Sequence, residues 1–144
     1  MPLPAVNGWL IDFRTARFVF TSGDNVLISA CVGLCEDGDL QFCHCEEKSF
    51  RDEEALRPPF IDDQLCRADA DSDVMQRCAA LAAGTYSKPF LVGDRATVML
   101  VGLALNYQYG ILSDSTNARF LTVHDLGPPL GLHVLTSTQF SQLL

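Results

Sequence analysis

The sequence predicts one α/β domain, and three observations carry that expectation. Segments of helical and of strand periodicity alternate along the chain. No repeat, low-complexity tract or interdomain linker interrupts them, and 48% of the 144 residues are hydrophobic against 19% charged, the balance of an ordinary globular protein. A chain of this length buries roughly two-thirds of the surface that its unfolded form exposes, so one core is expected. The expected domain spans residues 1–144.

Asn7 is a good cap for a first helix, and Leu10, Phe13, Arg17 and Phe20 follow at three-to-four residue spacing until Ser22-Gly23-Asp24. The β-branched and small-residue run 26–35, the acidic turn Glu36-Asp37-Gly38-Asp39 and the returning run 40–45 read as a hairpin. Residues 46–67 are charged, contain Pro58-Pro59 and hold no sustained period, which predicts a loop with one short helical turn at most. Over 69–83, Val74, Cys78 and Leu81 run beside Met75, Ala79 and Ala82 as two apolar rows, closed by Gly84 at a C-terminal cap position. Residues 88–92 read as a short core strand and 96–107 as a helix apolar nearly all round, broken at Tyr109-Gly110. A strand over 119–124, a stop at Gly127-Pro128-Pro129, a short strand over 133–136 and a last helical turn capped by Ser137 or Thr138 complete the order.

Charge limits the partners. A net charge of −8 with 10 Lys+Arg opposes binding to a phosphate backbone, which relies on clustered cations, so no nucleic-acid partner is expected. No apolar run approaches the ~20 residues of a membrane helix. The start, Met1-Pro2-Leu3-Pro4-Ala5, lacks the basic and apolar regions of a secretory signal, so a cytoplasmic chain with six reduced cysteines is expected.

Cys31, Cys35, Cys43, His44 and Cys45 are the ligand types of a structural zinc site. In a hairpin closed at Asp37-Gly38, however, Cys31, Cys35 and His44 share one face while Cys43 and Cys45 point to the other. Four ligands cannot converge there, and buried thiols are expected instead. His124, His133 and Ser137 carry no nucleophile motif around them and read as structural.

The run 10–38, the Glu36-Asp37-Gly38 turn, Glu47-Lys48-Ser49-Phe50 after the hairpin, and a helix ending in Ala82-Ala83-Gly84 resemble a small cytidine or blasticidin deaminase over nearly the whole chain. The resemblance implies a three-layer α/β/α sandwich with a mixed sheet and a zinc site between the second and third helices. Such a site needs a Cys or His with a nearby Glu, then Pro-Cys-x-x-Cys. Aligned on Gly84, the first motif falls on Asp69-Ala70-Asp71 and the second on Leu100-Val101-Gly102-Leu103-Ala104, and no Cys or His lies between Cys78 and His124. The resemblance therefore makes Asp69, Val101 and Ala104 degenerate ligand positions and Asp71 a degenerate general acid–base position, with no metal and no cofactor. The family's ribose-binding Asn-x-Glu falls on Cys45-Glu46-Glu47, which leaves Glu47 and the replaced Cys45 as remnants of a nucleoside-like pocket. This implies a catalytically degenerate deaminase-like protein acting by ligand binding or by assembly into a homo-oligomer or with a related subunit. The apolar helix segment 98–105 is the expected contact.

Three other functions fit parts of the sequence. One is a zinc-dependent or altered hydrolase on a nucleoside-like amine, and another a small acidic interaction or inhibitory protein. The third is a PIN-type nuclease, whose scattered acids Asp12, Glu46 or Glu47, Asp94 and Asp114 echo, and in which two magnesium ions would activate water.

Overall fold

Trp9–Ile11 forms β1, the central strand of a parallel sheet, in a computed structural model that describes residues 3–43, 47–52, 65–66, 95–116 and 122–144. After it come α1 (Phe13–Thr21), α2 (Asn25–Glu36), β2 (Leu40–Cys43), α3 (Glu47–Asp52), β3 (Leu65–Cys66), α4 (Arg95–Tyr107) and β4 (Gly110–Leu112). The chain ends with α5 (Val123–Leu126), a 3-10 turn at Pro128–Leu130, β5 (Val134–Leu135) and α6 (Ser137–Gln142). The five strands lie in the order β3-β2-β1-β4-β5, and every pairing is parallel. Parallel neighbours require crossovers, which put helices on the sheet faces. Trp9 and Ile11 point to one face, into a cluster with Val19 of α1, Cys31 and Cys35 of α2, and Phe140 of α6. Leu10 and Ile111 point to the other, against Leu100, Leu103 and Ala104 of α4 and Val123 and Leu126 of α5. Fully burying each large apolar side chain contributes about 1.5–3 kcal/mol. Trp9 meets Phe140 edge to face at 5.8 Å, which ties α6 to the central strand.

The α/β class and the helix of residues 96–107 agree with the sequence reading, as does a strand within 133–136. The hairpin does not. Residues 26–35 lie in α2, because Asp24 caps that helix by accepting from Leu27 N at 3.1 Å, an interaction strong enough to outweigh the modest helix penalty of Val26 and Ile28. The Asp37-Gly38 pair ends a helix: Gly38 takes φ +77° and Asp39 N donates to Leu34 O at 2.8 Å. Cys31 and Cys35 thus stand one turn apart on a buried helix face. The deaminase resemblance implies a mixed sheet; the strand pairings among the described residues are parallel, and β1 and β2 are joined by two helices.

Two further corrections concern the ends of elements. Leu10 belongs to β1 and the first helix starts after Asp12, not Asn7. A central parallel strand is apolar on both faces, and three such residues ahead of a helix extend its periodicity. Within the expected strand 119–124, Val123 and His124 open α5, which Thr122 and Asp125 close with a reciprocal capping box. The last helix is capped by Thr136. In the segment 98–105 expected as a contact, Met99, Leu100, Val101, Leu103 and Ala104 are buried within this chain and Leu105 is half-buried against the same cluster. The expected helix 69–83 and strand 88–92 lie outside the described residues.

Two consequences are measurable. A Cβ on Gly110 would stand 2.5 Å from the buried Trp9 ring, whereas one on Gly33 in α2 meets nothing within 4 Å. Gly110→Ala is expected to cost about 1–3 kcal/mol and Gly33→Ala to gain about 0.5–1 kcal/mol in urea unfolding. Burial also pushes the Cys31 and Cys35 thiols from 9.0 up to about 12. The folded thiols hold their protons more tightly than the unfolded ones, so this contribution to stability is whole below about pH 9 and is lost as pH rises toward about 12. Replacing both by Ala should flatten that alkaline decline, read from urea midpoints between pH 8 and 11.

Candidate functional site

In the order β3-β2-β1-β4-β5 the chain winds outward from β1 to one side and from β4 to the other, so connections diverge between these two strands. A crevice opens at the carboxyl ends of strands at such a switch point, and ligands of open α/β sheets bind there. The residues that leave the strands at this edge are Asp12 after β1, Ser113 and Asp114 after β4, and Thr136 and Ser137 around the β5–α6 junction.

Hydrogen bonds join all three strand ends. Asp12, 7% exposed, caps α1 with Oδ1 accepting from Thr15 N at 2.8 Å, while Oδ2 accepts from the Ser113 hydroxyl. The Thr15 hydroxyl accepts from Asp114 N at 2.7 Å. Asp114 in turn accepts from Ser137 N at 2.7 Å and from the Ser137 hydroxyl at 2.6 Å. His124 Nε2–H donates to the Ser113 carbonyl at 2.6 Å, which makes that nitrogen the protonated one in this contact. Asp12 and Asp114 are therefore joined through Thr15, whose N–H meets the Asp12 carboxylate and whose hydroxyl meets the Asp114 backbone N–H.

Each carboxylate oxygen of this network takes one of the donors just described, and an ionised carboxylate offers about four acceptor positions in all. Hard oxygen donors of this kind suit magnesium or manganese, and magnesium is ordinarily held by one or two carboxylates with water and substrate phosphate. Among the described residues, no three His, Cys, Asp or Glu side chains form a ready metal cluster.

Of the residues singled out in the sequence, Asp12 and Asp114 are brought together. His124 and Ser137 join their network, and His133 stands exposed before β5. Glu47 opens α3 after β2. Val101 and Ala104 are fully buried in α4. Cys45, Glu46, Asp69, Asp71 and Asp94 lie outside the described residues. Thr15 and Ser113 were not foreseen from sequence; their signal is an Asp-x-x-Thr that follows a short apolar run and a Ser-Asp pair that follows another. No protein-family model matches the chain, and no curated protein or solved structure matches it either.

The network predicts distinct outcomes for two changes at one position. Asp12→Asn keeps an acceptor for Thr15 N and a polar partner for Ser113, so it should move the urea midpoint little. Asp12→Ala leaves both donors unanswered and should cost about 0.5–2 kcal/mol.

Proposed function

We propose that the chain is a PIN-type, divalent-cation-dependent phosphodiesterase acting on nucleic acid, with Asp12 and Asp114 as its central carboxylates. The observation that supports this reading best is the pair of acids at the carboxyl ends of β1 and β4, on either side of the switch point of an all-parallel sheet. The deaminase correspondence loses support from the same geometry, because the segment that anchored it as a hairpin is helix α2.

Thr15 N and Ser113 hold Asp12 in one orientation, and Ser137 holds Asp114, so both carboxylates are set before a substrate arrives. They are the residues that would hold magnesium or manganese, together with water and a substrate phosphate. A bound ion supplies positive charge at the phosphoryl oxygens and acidifies water. The reading requires such charge, because a chain of net charge −8 otherwise repels a polyanion. Glu46 or Glu47 and Asp94, the remaining acids of the PIN-type pattern, are the candidates to complete the set.

Purified protein should hydrolyse a labelled single-stranded oligonucleotide with magnesium or manganese and stop when EDTA is added. Asp12→Asn and Asp114→Asn should each lower the rate about a hundredfold or more, with the fold intact by circular dichroism. Cleavage that persists equally in EDTA or in both variants would falsify the assignment.

A further inference from the structure

We propose, on the reading of the site just given, that His124 is a positioning residue for the Asp12–Asp114 pair, acting through the peptide unit that joins Ser113 to Asp114. A peptide unit is planar, so a grip on both its C=O and its N–H fixes the plane and the direction in which the next residue leaves it. This one is gripped at both ends from different elements. His124 Nε2–H of α5 donates to the Ser113 carbonyl at 2.6 Å, and Asp114 N donates to the Thr15 hydroxyl of α1 at 2.7 Å. On one side of the plane the Ser113 hydroxyl meets Asp12, and on the other the Asp114 carboxylate accepts from Ser137. Both acids are thus referred to one peptide.

The β4–β5 ladder shows why a histidine is needed there. Ile111 N donates to His133 O and Ser113 N to Leu135 O, so the next bond of a parallel ladder would run from Ser137 N to Ser113 O. Ser137 N turns instead to Asp114 Oδ1 at 2.7 Å. The carbonyl so released belongs to a fully buried residue, and His124 answers it from eleven residues away. The helix that carries His124 has no use for the ring itself: Thr122 and Asp125 make the capping box, and His124 adds only its backbone N–H. Without the ring, the Ser113 carbonyl can reclaim Ser137 N–H and draw it off Asp114. His124 therefore keeps a backbone donor on the acid.

The test reads metal binding apart from turnover: Mn²⁺ is titrated into the purified chain and the free ion is followed by electron paramagnetic resonance. His124→Ala should weaken Mn²⁺ binding about tenfold or more, and His124→Gln, whose amide N–H can meet the same carbonyl, should restore most of it. Thr15→Val, which removes the acceptor at the other end of the peptide, should weaken binding as His124→Ala does. Gly110→Ala, destabilising at the opposite end of β4, should bind Mn²⁺ like the wild type while folded by circular dichroism. Wild-type affinity in His124→Ala, or in Thr15→Val if His124→Ala does not fold, would overturn the proposal and leave the metal site standing. So would equal losses in His124→Ala and Gly110→Ala, which mark a contribution to stability alone. If the wild type binds no Mn²⁺, or binds it equally with both Asp12→Asn and Asp114→Asn in place, the reading of the site falls and this proposal with it.

Discussion

Burial of Trp9-Leu10-Ile11 on both faces of the sheet, with parallel partners on both edges, is the constraint on which the rest of this structure depends. Each of the three residues is 3% exposed or less, and together they anchor both hydrophobic clusters. A strand so placed leaves its backbone no choice of partner: Trp9 aligns with Leu40 on one side and Gly110 on the other. The Trp9 ring occupies the space over Gly110 that a side chain would need, so the identity of one residue in β4 follows from the size of another in β1. Once β1 is fixed, its carboxyl end is fixed, and the next residue in the chain is Asp12.

The helix α1 then begins where the strand stops, and Asp12 makes that possible by accepting from Thr15 N. The same logic operates at β4 and β5. Asp114 reaches Ser137 at the start of α6, and Thr136 with Gln139 closes a capping box there. Each helix is thus capped by the residue just before it, while Asp114 beyond β4 answers Ser137 N and Ser113 donates to Asp12, so the ends of β1, β4 and β5 are tied to one another. A site assembled from such groups is rigid without help from a ligand.

The sequence made parts of this legible and concealed others for physical reasons. The helix α4 was readable because 13 residues with apolar character on almost every side have few alternatives to a buried helix. The segment 26–35 was misread because Val26, Ile28 and Cys31 have strand propensity and the Asp-Gly pair that follows serves equally as a hairpin turn or a helix stop. Asp24, the residue that decides the matter, lies just ahead of the run and acts through one hydrogen bond to Leu27 N. At the site, Asp12 and Asp114 were visible as acids in a spacing pattern. What no one-dimensional pattern carries is that Thr15 and Ser113, 98 positions apart in the chain, meet Asp12 from different elements. The Thr15 contact is a local helix cap, and the Ser113 contact follows from the pairing of β1 with β4.

The chemical identity of the two acids is harder to explain by structure than their positions. Asn, Asp and Ser cap helices about equally well, so capping α1 does not require a carboxylate at position 12. Nor does α6 require one at position 114, because a neutral acceptor could also answer Ser137 N, the donor that Asp114 takes while Thr136 takes Gln139 N. A fold that keeps negative charge where uncharged groups would cap as well is one in which the charge has a task beyond the fold. Holding a divalent cation, as proposed above, is a task that calls for a carboxylate where an amide or hydroxyl would serve a cap as well.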